Sequence, residues 1–195
     1  MKRTGWLVVG GFILILLFWG CSQQRGLASA DLNVQNKWSD VETNYQRRTD
    51  LYSSVVKTIE GSANFEKSTL TDVINARAKA TSVHVDINDS TSLRQYQQAQ
   101  AQLQGSFTRL MAVAEAYPDL KTTTAFQNFQ TQIEGTENRI NVARLDFNGS
   151  VNAYNQKVRL FPNNIFASIL GYRVKGYYKA DEGAEKNPDI NFNIK

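Results

Sequence analysis

The stretch "LASADLNVQNKWSDVETNYQRRTDLYSSVVKTI", residues 27–59, decides the fold. Leu27, Val34, Val41 and Val55 stand at multiples of seven places, and Trp38, Tyr45, Tyr52 and Ile59 form a second column with the same interval. Two such columns run along one side of an α-helix and give it a long seam for neighbouring helices. Arg48 fills the gap in the first column. An arginine there either snorkels at the edge of the seam or meets a buried carboxylate, and the ion pair is the expected arrangement. Gly61 and Ser62 then mark a break or kink.

The pattern continues downstream. A second helical stretch covers about residues 64–80, with Phe65, Leu70, Val73, Ile74, Ala76 and Ala80 available for a buried face, either as a separate helix or as a continuation of the first. The polar "TSVHVDINDSTS", residues 81–92, reads as a loop whose residues 89–92 offer helix caps. A third helix over about residues 91–116 carries Tyr96, Leu103, Leu110 and Tyr117 in one column and Leu93, Phe107 and Ala114 in another. Its glutamines form a solvated face, and Pro118 ends it. After the capping threonines 122–124, Phe126, Ile133, Ile140, Phe147, Tyr154 and Phe161 fall in one heptad column, beside Phe129, Thr136, Ala143 and Ser150. Small residues next to large ones let another helix come close, and Pro162 stops this helix. Its length of about 50 Å at ~1.5 Å per residue makes the molecule elongated. "NNIFASILGY", residues 163–172, offers a short amphipathic helix with Asn163 or Asn164 as N-cap and Gly171 as its stop. Residues 165–178 mix apolar and aromatic side chains with Arg173 and Lys175, followed by Lys179. They are expected to pack against the end of the bundle, with lipid headgroup contact as the alternative.

At the other end, Lys2 and Arg3 precede an apolar run over residues 6–19, interrupted only by Gly10 and Gly11 and extended by Gly20 and Cys21. As a helix, residues 6–21 rise roughly 24 Å. That is short against a hydrocarbon core of about 30 Å, but local thinning and the terminal tryptophans accommodate the difference. A retained transmembrane anchor is one expectation. A lipoprotein signal cut before Cys21, with lipidation of that cysteine, is the other; Gly20 suits the cleavage site, whereas Trp19 and Phe18 are bulky for it. The domain reading is residues 1–24 as anchor or lipoprotein signal, 25–180 as helical bundle, and 181–195 as a flexible tail without helical period. Lys2 and Arg3 before the span, against Arg25 and Lys37 after it, give a weak positive-inside bias that leans slightly towards a bundle on the non-cytoplasmic side of a bacterial membrane.

The strings "NYQRRTDL", "SANFEKSTL", "ARAKA", "LMAVAEAYPDLK", "FQNFQTQIEGTENRI", "AR", "FN", "YN" and "FPNNIFA" follow one another between residues 44 and 167, and the resemblance they carry covers roughly residues 31–178. In order and approximate spacing the chain resembles LemA-family proteins. That resemblance implies an all-α, elongated antiparallel helical bundle behind an N-terminal membrane segment, in bacteria, with no established enzymatic activity. Two departures stand out: "YSSVV", residues 52–56, replaces an Ile-Pro-Asn-Leu-like turn, and a cysteine at the membrane boundary is not general to the pattern.

Composition narrows the chemistry. The net charge of +4 comes from 22 basic residues dispersed along 195, which argues against nucleic-acid binding. One cysteine and one histidine exclude an intrachain disulfide and disfavour a Cys/His metal site. His84 falls in the polar loop and is expected to face solvent. Arg47, Arg48, Asp50, Glu66, Arg77, Glu115, Glu134, Glu137, Arg139 and Arg144 are candidates for one internal polar seam. Glu134 and Glu137, three apart, have the spacing of paired acids or metal ligands. A di-metal bundle, however, needs Glu-x-x-His pairs that one histidine cannot supply. No nucleophile beside a base and no phosphate-binding loop is present. The seam is therefore read as structural, fixing helix register, and Asn148 and Asn155, seven apart, are read in the same role. No catalytic residue, metal or cofactor is expected. The expected function is a membrane-tethered, non-enzymatic scaffold or adaptor of the cell envelope; the alternatives are a lipid-associated membrane-remodelling factor and an uncharacterised hydrolase. Expected partners are membrane lipids through the N-terminal segment and envelope proteins, with self-association as a homo-oligomer compatible with the heptads.

Overall fold

A computed structural model describes the backbone of residues 2–61 and 66–179, with side chains from residue 24 onward in those ranges except residue 121. The readings for the side chains of residues 6–21, for Cys21 lipidation, for Phe65 and for the tail over residues 181–195 lie outside what is described. The described elements are all helical: α1 (Lys2–Glu60), α2 (Lys67–Ser82), α3 (Ser90–Ala114), α4 (Pro118–Lys121), α5 (Thr124–Arg159) and α6 (Asn163–Leu170). Among the described residues no helix is long and apolar enough to cross a membrane.

The helix ends follow local chemistry. Asp89 caps α3 by accepting from the backbone N–H groups of Thr91 and Ser92, and Thr123 caps α5 by accepting from that of Phe126. Gly171 ends α6 at φ 79°, a left-handed geometry that glycine adopts without strain. Expectation and structure part at α6's start. The helix begins at Asn163, so Pro162 takes the N-cap position and no side chain caps it. The break after α1 is a true end, and α2 is a separate helix.

Contacts along the helices set the topology. Lys157 donates to the Gly26 carbonyl at 3.2 Å, Lys37 pairs with Asp146 at 3.1 Å, and Arg48 with Glu137 at 3.3 Å. As the numbers rise along α1 they fall along α5, so these two are antiparallel. Lys79 with Gln102 and Arg109 with Asp72 make α2 and α3 antiparallel, while Trp38 with Tyr96 and Tyr52 with Phe107 set α3 parallel to α1. The long helices α1, α2, α3 and α5 thus alternate in direction, as in an antiparallel bundle.

The heptad columns are the core. Leu27, Val34, Val41, Val55 and Trp38, Tyr45, Tyr52, Ile59 are all buried, as are Leu103, Leu110, Phe126, Ile140, Phe147 and Tyr154. Tyr117 and Ile133 are half-buried, and Phe161 is exposed, at 79%. Its column ends because the chain leaves helical geometry after Arg159, which swings Phe161 away from the seam. Two apolar clusters result. One lies where α1, α2, α3 and the start of α5 meet, with the Tyr52 and Phe107 rings stacked at 3.7 Å. The other joins α1, the start of α3, α5, α6 and residues 172–178, with Trp38 edge-on to Tyr96 and Phe147. Beyond the end of α2, Val83, Val85, Ile87 and Tyr178 close the side that α2 no longer covers.

Candidate functional site

Polar side chains enter the core in two places. The first is Arg48, only 2% exposed and level with the junction of the two apolar clusters. Its Nη1 lies 3.3 Å from Glu137 Oε1, and Nη2 donates to Gln100 Oε1 at 2.7 Å and to the Gln100 carbonyl at 3.2 Å. Tyr52 also donates to Glu137 Oε1, at 3.2 Å. The guanidinium carbon sits 4.7 Å and 5.7 Å from the Tyr45 and Tyr52 ring centres, a cation–π sandwich within one helix. Arg48 Nε is buried without a hydrogen-bond partner. An incompletely satisfied buried charge suits a register device better than a net source of stability.

The second insert is main chain. Residues 172–179 leave α6 and run without helical structure beside α5. The Asn155 amide donates to the Lys175 carbonyl at 3.0 Å and accepts from the Lys175 N–H at 2.8 Å. Asn148 repeats this with Tyr178, at 2.8 Å in both directions. The spacings match: seven helical residues rise about 10.5 Å, and three extended residues span about 10 Å. Tyr154 donates to the Arg173 carbonyl and Arg144 to that of Lys179, with the Arg144 guanidinium over the Tyr178 ring. Lys175 is itself buried; its ammonium pairs with Asp31 at 2.8 Å, donates to Asn88 and lies over the Tyr154 ring. The Tyr45 and Tyr178 hydroxyls hydrogen-bond each other.

Burial raises the phenols of Tyr45, Tyr52, Tyr96 and Tyr178 above their ordinary value, and that of Tyr154 to about 12. In each case the loss of water around the phenolate is the largest cause. The folded protein therefore keeps protons that the unfolded chain releases near pH 10. Their contribution to stability is complete below about pH 10 and declines as pH rises towards the folded values. Thermal melting followed by circular dichroism should show a midpoint that falls progressively from about pH 10 upward, more shallowly in Tyr178→Phe. An identical fall in both proteins would contradict the assignment to Tyr178.

The structure distributes the sequence candidates over separate places. Arg48 and Glu137 meet in the core, whereas Arg144, Asn148 and Asn155 hold residues 172–179. Arg47, Asp50, Glu66, Arg77, Glu115, Glu134 and Arg139 are exposed, because their positions fall between the buried columns. Asp50 accepts from Gln46, and Glu66 from Ser68. Glu134 faces solvent while Glu137 is turned inward to Arg48, so the two do not form an acid pair directed at one point. His84 is exposed on the rim of an open cleft of about 430 Å³ that Glu42, Thr49, Tyr96 and Gln100 also line. Among the described residues no group of three or more His, Cys, Asp or Glu side chains is placed to hold a metal ion. Gln100, Asp31, Asn88 and Lys175 were not among the candidates. Gln100 belongs to the glutamine face read as solvated, yet it is buried, because it fills the gap between Leu93 and Phe107 as Arg48 does between Val41 and Val55.

The sequence profile of the LemA family matches residues 37–192, which takes in both inserts. Protein LemA of Metamycoplasma hominis is 26% identical over 149 residues, covering 76% of this chain and 65% of its own length. Magnetosome protein MamQ 2 of Paramagnetospirillum magneticum is 24% identical over 166 residues, 75% of this chain and 61% of its own. Magnetosome protein MamQ of Magnetospirillum gryphiswaldense is 23% identical over 165 residues, with the same coverage of 75% and 61%. The chain therefore spans slightly less than two thirds of the length of these relatives.

Proposed function

Since the chain belongs to the LemA family, we propose that it is a membrane-tethered, non-enzymatic scaffold of the bacterial cell envelope. The observation that carries this reading is the continuity of α1. One helix runs from Lys2 to Glu60, so the apolar run over residues 6–21 leads without a break into the helix whose columns form the core. A hingeless connection holds the bundle at a set distance and angle from its anchor. Arg48 and Glu137 are spent on each other and on Gln100 and Tyr52 inside the core, and the exposed charges are spread over the faces, an arrangement suited to docking proteins.

Two measurements test the two halves of this reading. The full chain should remain with the membrane through an alkaline carbonate wash, and Ile15→Arg with Leu16→Arg should release it with helix content unchanged. Its intact mass, with and without Cys21→Ser, distinguishes a retained span from a lipid on Cys21. A photo-crosslinking residue at Leu145, 72% exposed on α5, should give a discrete adduct with another envelope protein in host membranes. Full-length protein in the wash supernatant would overturn the tether. Failure to form an adduct at Leu145 and at the exposed Ile74 would overturn the scaffold. A lipid-associated role is the second reading, favoured by the exposed apolar side chains of α6.

A further inference from the structure

Eleven large apolar side chains stand exposed among the described residues, and five of them, Leu160, Phe161, Ile165, Ile169 and Leu170, fall within residues 160–170. Such clustering differs from the scattered single exposures seen elsewhere on the bundle, and it marks a surface that binds something. Ala167 faces inward and joins the cluster containing Leu27, so α6 is held firmly while its other side looks outward.

The location identifies what that surface meets. Lys157 reaches the Gly26 carbonyl, which sets the end of α5 level with that residue. Cys21, the last residue of the apolar run, is five residues away along α1, about 8 Å at ~1.5 Å per residue. The turn after α5 and α6 therefore sit at the end of the bundle from which the apolar run emerges. Exposed Arg25, Lys157, Arg159 and Arg173 surround this end. Over residues 24–36 and 147–176 the sole acidic residue is Asp31, and it is already paired with Lys175; the neighbouring loop adds Asp86, which accepts from Asn88, and Asp89, which caps α3. Apolar side chains flanked by an excess of basic charge are complementary to a lipid surface with anionic headgroups.

We propose that residues 160–170 form a second, interfacial membrane contact, in which Phe161, Ile165 and Ile169 enter the headgroup region while Arg25, Arg159 and Arg173 engage anionic lipid. This rests on the tether proposed above, and it adds a foot that stops the bundle from tilting or rotating about its anchor. Residues 172–179 then return from the foot along α5, fastened by the two asparagine amides.

The test uses the full chain in vesicles of phosphatidylcholine and phosphatidylglycerol in equal parts. A fluorescent amino acid is placed singly at Phe161, Ile169, Leu145 or Ile15. Nitroxide-bearing lipids should quench it at Phe161, Ile169 and Ile15, and aqueous acrylamide should quench it only at Leu145. Arg159→Glu with Arg173→Glu, and separately the omission of phosphatidylglycerol, should shift the Phe161 and Ile169 probes towards acrylamide without moving Ile15. Acrylamide quenching at Phe161 and Ile169 in the unaltered protein, with Ile15 still in lipid, would overturn the foot and leave the tether standing. A water-exposed Ile15 would overturn both. Protection of Phe161 and Ile169 from both quenchers would mean contact with protein, such as a second copy, and would also overturn the foot.

Discussion

Arg48→Ala should destabilise the bundle by about 3–5 kcal/mol, the range for removing one partner of a buried ion pair. Several losses combine. Gln100 loses the donor to its side-chain oxygen and to its carbonyl, and Glu137 keeps only Tyr52 as a donor. The space between the Tyr45 and Tyr52 rings is left empty, adding a cavity cost. Glu137 retains 28% side-chain exposure, so water can reach it and the effect should lie towards the lower end. Replacing both members, Arg48→Met with Glu137→Leu, should recover only part of that loss: the buried charges are gone, but Gln100 Oε1 and the Tyr52 hydroxyl lose their partners, at about 1–3 kcal/mol for each buried group left unpaired. Urea unfolding in detergent micelles checks both, with an unchanged slope required for the comparison. A loss under about 1 kcal/mol in Arg48→Ala would mean that the guanidinium is not a structural member of the core.

The second large effect is local. Asn148→Ala with Asn155→Ala should detach residues 172–179 while the bundle stays folded. Both substitutions strip partners from the N–H and C=O groups of Lys175 and Tyr178. Each buried polar group left unpaired costs about 1–3 kcal/mol, and the chain avoids that cost by moving those residues into water. Lys175 would then leave Asp31, and Tyr178 would leave Tyr45. Hydrogen exchange should show lost protection at residues 175 and 178, with protection retained around Leu103, Leu110 and Val55. Asn→Asp at both positions should fall between, since a carboxylate still accepts from the N–H groups but cannot donate to the carbonyls. Unaltered protection in the double alanine variant would show that the apolar contacts of Tyr178 hold the segment unaided.

How far the candidate site could be read depended on where each residue lies. Arg48 was visible as a charge in an apolar column, and so was the carboxylate partner it would need; Gln100 sits in the same kind of gap, but among glutamines that read as a solvated face. Asn148 and Asn155 stood out by their spacing, but that spacing reads equally well as helix-to-helix alignment. What they hold instead is a piece of non-helical main chain returning along α5. Lys175 had no pattern around it. Its partner Asn88 is 87 residues away in sequence, and Asp31 lies still further off on α1. The end of α5 shows the same limit: Phe161 continues a strict heptad, yet the turn at Leu160 takes it out of the core.

The sequence by itself determined the long helices, their order and most of the face each one buries; it left open whether α2 continues α1, did not show α4, and offered for burial Ile74, which is exposed. Those properties follow from the direction of a side chain relative to its own helix axis, which seven-residue spacing already expresses. Only the tertiary structure decided which polar groups meet and that residues 172–179 close the bundle beside α5. Those pairings depend on the relative positions of elements far apart in the chain, and no local periodicity records that distance.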